Sequence, residues 1–348
     1  MRKRLLQTRI SLTSRRLWQR RLVFWSGALA IGGAAALFAI LAEHAESLFR
    51  EVVAYSPYLP LLLTPLGLVL ISLATRSYFP NAQGSGIPQT VAALELGTHE
   101  ARQKLLSLRI AIGKILMALF GLLCGASIGR EGPTVHIGAS ILFSMSRYAH
   151  FARHDMERGL ILAGGAAGVA AAFNTPLAGI VFAIEELSRS FEERTSGTVL
   201  TAVLIAGVVA ISMLGEYSYF GESHTTLPLN FEGFGVILVC GVIGGAIGGL
   251  FASGLIQGTR RVAPQIAAHP ILVPALCGLA LATIGLLSNN SAYGTGYHEA
   301  QALINGEMEG GFLYPLMKMA ATLSSFLSGI PGGIFAPSLA AGIRSEEH

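Results

Sequence analysis

The sequence predicts an all-α, multi-pass membrane protein whose helices are broken into short pieces and whose two halves repeat. Three observations carry this. Only 13% of the 348 residues are charged and 52% are hydrophobic, where soluble chains average about 25% charge; the mean hydropathy is +0.58. Glycine, at 42 residues, exceeds its usual share of about 7%, as expected where small residues let membrane helices approach closely. Several of the apolar runs also fall short of the ~20 residues that cross a bilayer.

The chain opens with a basic segment, residues 1–22, carrying Arg2, Lys3, Arg4, Arg9, Arg15, Arg16, Arg20 and Arg21 and no acid before Glu43. Basic residues ahead of an apolar span are retained in the cytoplasm, so the N-terminus is expected there. Nucleic-acid binding is a competing reading of such a run, but no DNA-binding motif accompanies it. An Arg-rich, acid-free leader also fits a transit peptide. Expected spans follow at Val23–Ala42, Leu59–Thr75, Ile110–Ala126, Pro133–Met145 and Gly159–Phe173. Further spans are expected at Pro176–Leu187, Val199–Leu214, Phe234–Ile256, Ile271–Leu287 and Phe312–Leu327. Pro133–Met145 and Pro176–Leu187 are the clearest short ones, and short Gly/Pro-interrupted helices point to half-helices meeting at a midplane site.

Gly241, Gly245 and Gly249 bare one helix face, and Gly164, Gly165 and Gly168 another, each expected to pack against a second helix. The polar stretch Glu216–Glu232 separates a first membrane repeat, 23–215, from a second, 233–343, with a charged tail at 344–348. Cys124, Cys240 and Cys277 lie scattered in apolar runs without CxxC spacing, which argues against a disulfide framework or a zinc site.

The two halves match under an offset of 204 residues, which carries Lys114 to Lys318, Gly125 to Gly329, Gly129 to Gly333, Pro133 to Pro337 and Gly138 to Gly342. Gly84-Ser85-Gly86 has a looser counterpart in Gly294-Thr295-Gly296. Paired broken helices in two halves are a pointer to a transport site.

Three Gly-rich segments concentrate the chemistry: Gly84-Ser85-Gly86-Ile87-Pro88, Gly129-Arg130-Glu131-Gly132-Pro133 and Gly333-Ile334-Phe335-Ala336-Pro337. Each ends in a proline suited to the first turn of a helix, and helix starts favour anions. A charged side chain at bilayer depth costs roughly 2.5–3.5 kcal/mol even on the lenient scale, so Glu131 is expected to belong to a pathway or a site. No acidic ring suggests a cation filter, and no carboxylate cluster resembles a metal site. The residues therefore describe an anion pathway with a built-in rival carboxylate. Structural readings stand beside it: Glu131 as a buried acid paired with Arg130 or Lys114, Ser85 as a helix cap, and Lys114 and Lys318 as snorkelling side chains.

These three segments, in this order, together with Asn174-Thr175-Pro176-Leu177-Ala178-Gly179 leading to Glu185-Glu186, resemble the signature of the CLC family of chloride channels and chloride/proton antiporters. The resemblance covers nearly the whole chain from about Arg20 to Gly342. It implies two inverted-topology repeats with broken and re-entrant helices, the second repeat incomplete. It also implies a secondary active chloride/proton antiporter. Ser85 and the backbone N–H groups of Ile334 and Phe335 would hold the central anion. Glu131 would be the gate, and Glu186 the internal acceptor that relays protons. The motif glycines and prolines are Gly84, Gly86, Pro88, Gly129, Gly132, Pro133, Gly333 and Pro337. Val91 stands where some antiporters place a second acid, and no tyrosine of this chain matches the one that completes the family's anion site.

The alternatives are a passive voltage- or pH-gated chloride channel and a non-transporting truncated remnant. Glu186 has a structural reading too, as an interfacial acid beside Glu185 and Arg189. Gly125-Ala126-Ser127-Ile128-Gly129 fits the G-x-S-x-G nucleophile pattern with His136 nearby, but lacks the strand–turn–helix context that motif needs. The expectation is thus not an enzyme, with no cofactor and no metal. Chloride and protons are the expected substrates, the lipid bilayer the surroundings and a homodimer the assembly of the full-length chain, with no nucleic acid. The expected location is the plasma membrane or a bacterial inner membrane.

Overall fold

The computed structural model describes residues 15–149, 154–188, 193–215, 231–305 and 313–342. The basic run up to residue 14, the tail from 343 on and parts of the polar connectors, including residues 216–230, lie outside the described residues. Among the described residues the chain forms fourteen α-helices and no strand, with two isolated bridges. Among the described residues, six helical stretches are long and apolar enough to cross a membrane. The protein is an all-helical, multi-pass membrane protein.

The first long helix, α1 (Arg15–Tyr55), runs well past the expected Ala42, because Glu43–Arg50 is less apolar but holds good helix formers and no breaker. It stops ahead of Pro57, as the residue before a proline is pushed out of the helical region. Next come α2 (Pro60–Tyr78), opened by a proline in its first turn, and the short helices α3 (Ile87–Glu95) and α4 (His99–Leu105). Neither α3 nor α4 was among the expected spans. They are short and half polar, so an apolar window passes over them. The segment Gly129–Pro133 lies between α5 (Leu108–Leu123) and the first turn of α6 (Glu131–Met145). They are followed by α7 (His154–Phe173), α8 (Pro176–Phe182) and α9 (Glu193–Leu214). The expected span Pro176–Leu187 is thus two pieces, α8 and a π-turn over Ala183–Ser188.

The second half holds α10 (Phe231–Ala268), α11 (Leu272–Leu287), α12 (Tyr297–Ile304), α13 (Tyr314–Leu327) and α14 (Phe335–Gly342). The offset of 204 read from sequence reappears in the helix boundaries. It carries the end of α5, Leu123, to the end of α13, Leu327, and the start of α6, Glu131, to the start of α14, Phe335. Left-handed Gly84 (φ 65°) and Gly294 (φ 64°) likewise stand three residues before α3 and α12.

The helices gather into two compact units, each drawn from three stretches of chain. The first comprises Met1–Leu37, Ile87–Ile112 and Thr134–Glu216. Within it α7 packs on α8 and α9. A Cβ on Gly138 of α6 would fall on the Gly164 carbonyl of α7, and one on Gly168 would lie 2.5 Å from the Thr134 carbonyl oxygen. The expected glycine packing at Gly164, Gly165 and Gly168 therefore holds. Arg102 is fully buried here; its Nε donates to the Ala93 carbonyl at 3.1 Å and its guanidinium to Glu157 Oε2 at 3.0 Å.

The second unit comprises Phe38–Gly86, Gly113–Pro133 and Tyr217–His348. In it α11 lies against α2, where Gly278 admits Pro65 so closely that a Cβ would sit 2.5 Å from the Pro65 Cα. The face of Gly241, Gly245 and Gly249 on α10 departs from expectation: within 4 Å of their Cβ positions there is no other part of the described chain. A four-residue glycine spacing bares a face but does not by itself bring a partner to it.

Candidate anion site

The site lies in the second unit and is built where three chain segments are laced together at their glycines. After α5 the chain turns at Gly125 (φ 81°) and runs to Gly129. There Gly129 N–H donates to the Gly333 carbonyl and Gly333 N–H donates back to the Gly129 carbonyl, both at 2.7 Å. On the other side of the same stretch, Gly84 N–H donates to the Ile330 carbonyl at 3.1 Å, and Gly332 N–H to the Gly84 carbonyl at 3.2 Å. Residues 330–333 are thus held between the other two Gly-rich segments. Glycine is required by space: a Cβ on Gly332 would come within 2.5 Å of Ile128 Cγ2, and one on Gly333 within 3.0 Å of the Gly129 carbonyl oxygen.

From this knot two helices depart, α6 at Glu131 and α14 at Phe335. Pro133 and Pro337 are each the third residue of their helix, where a missing N–H costs no helical hydrogen bond. Glu131 is 2% exposed, and its Oε2 lies over Gly129, in contact with the position a Cβ would take there. That same position is 3.3 Å from the Ala336 backbone nitrogen, so the carboxylate stands at the start of α14. A helix start presents N–H groups that no carbonyl of its own helix reaches, together with the positive end of the dipole. Ile334 and Phe335 contribute their backbone to this start, and the Ile334 carbonyl accepts Ser338 N–H at 3.1 Å. Ser85, just ahead of α3, closes in on the first turn of α6: a Cβ on Gly132 would lie 2.5 Å from Ser85 Oγ. Pro88 is the second residue of α3, just after Gly86.

The structure therefore brings Ser85, Gly84, Gly129, Glu131, Gly132, Pro133, Gly333 and the start of α14 together. Glu186 belongs to the first unit. It is exposed on the π-turn, while the next residue, Leu187, is buried against Gly165 of α7 with Val135 and Thr90 close by. One-turn π insertions recur at functional positions, and this one turns the two acids to the outside of a buried core.

The lysines hold a role that sequence reasoning missed. Both are 0% exposed, so neither snorkels. Lys114 Nζ donates to the Gly84 carbonyl at 2.9 Å. Its repeat counterpart, Lys318, donates to the Gly294 carbonyl at 2.9 Å and to those of Ala292 and Tyr293 at 3.1 and 2.8 Å. Their pairing across the offset marked the two lysines as equivalent, but not the carbonyls they reach. Glu46 also went unread: its Oε1 accepts Thr295 N–H at 2.6 Å in the second of those turns. The Ser127 hydroxyl meets Thr322 Oγ1 at 3.0 Å, while His136 Nε2 donates to the Leu105 carbonyl at 2.8 Å. Each half of the G-x-S-x-G arrangement is thus engaged elsewhere. Among the described residues no group of three or more His, Cys, Asp or Glu side chains is placed to hold a metal ion.

Comparison with known proteins agrees with this fold. A family model described as voltage gated chloride channel matches residues 67–343. The H(+)/Cl(-) exchange transporter ClcA of Cronobacter sakazakii is 32% identical over 314 residues, covering 87% of this chain and 65% of that protein. The protein of the same name from Salmonella paratyphi B is 32% identical over 301 residues, covering 81% of this chain and 61% of its own. The chain thus spans less than two thirds of the length of these curated relatives. Among solved structures, a CLC-type fluoride/proton antiporter superposes with a TM-score of 0.77 at 24% identity, covering 94% of this chain and 80% of that one. A slow cyanobacterial Cl-/H+ antiporter gives 0.75 at 22% identity, covering 92% and 76%. Below 25% identity such likeness speaks for the fold.

Proposed function

This chain belongs to the CLC family of voltage gated chloride channels, and from that membership we propose that it exchanges chloride for protons across a membrane, with Glu131 as the gate and Glu186 as the internal proton acceptor. The observation that carries the reading is the buried Glu131 carboxylate standing at the start of α14, beside Ser85 and Gly132. A carboxylate and a chloride ion ask for the same things: N–H and O–H donors and the positive end of a helix. Both cannot occupy one seat. An ionised Glu131 excludes the anion; a proton on Glu131 removes its charge, releases its hold on the helix start and admits chloride to the Ser85 hydroxyl and the Ile334 and Phe335 N–H groups. Chloride leaving lets the carboxylate return and give up its proton. Glu186, turned outward on the π-turn of the first unit, takes that proton to water on the cytoplasmic side. The name carried by the two curated relatives supports chloride and protons as the substrates.

The matched helix ends, the paired glycine turns and the paired lysine bonds support residues 23–215 and 233–343 as two repeats of one plan. The basic run in residues 1–22 supports a cytoplasmic N-terminus. A homodimer belongs to the same reading through the family.

Halide titration of the purified protein tests the seat directly. Glu131→Gln removes the rival charge and is expected to tighten chloride binding about tenfold and flatten its pH dependence. Ser85→Ala is expected to weaken binding by at least about tenfold, the worth of one hydrogen bond to a charged group. Unchanged affinity in both variants would remove Glu131 and Ser85 from the seat.

A further inference from the structure

The first unit carries a second feature built for an anion, away from the motif residues. A cleft of ≈ 220 Å³ opens between α4, the start of α5 and the end of α6. Its lining includes the buried Leu106 and Phe143, with the exposed Leu108 beside them. Its rim is cationic and hydrogen-bonding: Arg109, Arg147 and His99, with Gln103, Ser107 and Ser144. Among the described residues no carboxylate lines it. The acid behind it, Glu157, is already engaged on both oxygens, by Arg102 at 3.0 Å and by His99 Nδ1 at 2.8 Å. His99 is thereby fixed, and its ring also stacks on Phe143 with centroids 5.0 Å apart. Ser107 Oγ accepts the Ile110 N–H at 3.3 Å, which leaves its own hydroxyl proton to donate.

The position matters as much as the lining. Arg109 is the second residue of α5, and Arg147 follows the end of α6 at Met145. Arg147 lies 4.8 Å from the centre of the exposed Tyr148 ring and donates to its hydroxyl at 3.0 Å. Arginine with tyrosine at the ends of membrane helices marks headgroup depth. Basic pockets between helix ends at that depth bind phosphate-bearing headgroups.

We propose that this cleft is a binding site for a phosphate anion, its guanidinium pair Arg109 and Arg147 gripping the oxygens and its apolar lining seating what the phosphate is attached to. A planar guanidinium matches phosphate geometry in a way a lysine ammonium does not. An apolar lining beside a cationic rim suits an anionic lipid, whose glycerol and first methylenes adjoin the phosphate; free phosphate would use the rim alone. The site is independent of the exchange mechanism, because none of its residues is one of the motif residues.

Native mass spectrometry of the full chain in detergent tests this, with phosphatidic acid, phosphatidylcholine or inorganic phosphate added in turn. Phosphatidic acid is expected to be retained in preference to phosphatidylcholine. Losing two arginines at the membrane surface is expected to cut that retention about thirtyfold in the R109Q/R147Q variant. R109K/R147K keeps part of it, and R260Q/R261Q, which removes two exposed arginines of α10, leaves it unchanged. Displacement of the lipid by millimolar inorganic phosphate assigns the site to free phosphate; resistance to it assigns the site to the lipid. Equal retention of phosphatidylcholine, or a folded R109Q/R147Q variant that binds like the parent, overturns the proposal.

Discussion

Lys114 and Lys318 show how two glycine turns, one of them in the candidate site, rest on single buried side chains. Each sends a long apolar stem and a buried ammonium to the carbonyl of a left-handed glycine, Gly84 or Gly294. The two are not equivalent in cost. The Gly84 carbonyl also accepts Gly332 N–H, so Lys114→Met leaves it with a partner. Lys318 serves three carbonyls in succession, and a buried acceptor stripped of its donor costs about 1–3 kcal/mol. Lys318→Met is therefore expected to lower stability by about 3 kcal/mol or more, and Lys114→Met by about 1–2 kcal/mol. Thermal unfolding of both variants in detergent checks the order; equal losses would contradict it. None of these bonds could be read from the sequence. It marked the lysines as a repeated pair, but a carbonyl acceptor leaves no trace in residue identity, because every residue carries one.

At the scale of elements, helix boundaries were legible where the chemistry changes sharply: the ends Met145, Phe173, Leu214, Leu287 and Leu327 fall where the apolar runs stop. The Gly and Pro of the second and third signature segments located the starts of α6 and α14 within two residues, through backbone rules that hold in any surroundings. Hydropathy located the long spans but stopped α1 thirteen residues early, at Ala42 rather than Tyr55, since it reads apolarity and not helical continuity. Glycine stripes were the least decisive. Two stretches with close glycine spacing led to the same expectation, yet Gly164 meets the backbone of Gly138 while Gly241 meets no other part of the described chain. The contrast predicts opposite outcomes. Gly164→Val forces α6 and α7 apart and is expected to destabilise by about 3 kcal/mol or more, at the upper end of overpacking. Gly241→Ala only trades backbone freedom for helix propensity and is expected to stabilise by about 0.5–1 kcal/mol. Denaturant midpoints of the two variants decide this. A destabilised Gly241→Ala would mean that α10 has a close neighbour in the intact protein.

At the scale of the whole molecule, composition already required a multi-pass membrane protein, and six apolar helices among the described residues meet that requirement. The candidate site was legible because its parts are short motifs whose residues are chosen by backbone geometry: glycines where Gly129 and Gly333 exchange hydrogen bonds, prolines where helices begin. What no motif encoded is the meeting of segments more than two hundred residues apart, which depends on how the knot closes. The function proposed above follows from a single seat that Glu131 and chloride would contest, in which anion movement would be tied to protonation of that acid. The measurement that tests this most directly is proton flow in liposomes bearing the protein under an imposed chloride gradient with no proton gradient. Protons are expected to move uphill against chloride in the parent, with the movement abolished in Glu131→Ala and Glu186→Gln. Chloride flux in the parent with no accompanying proton movement would contradict exchange and leave a passive anion channel.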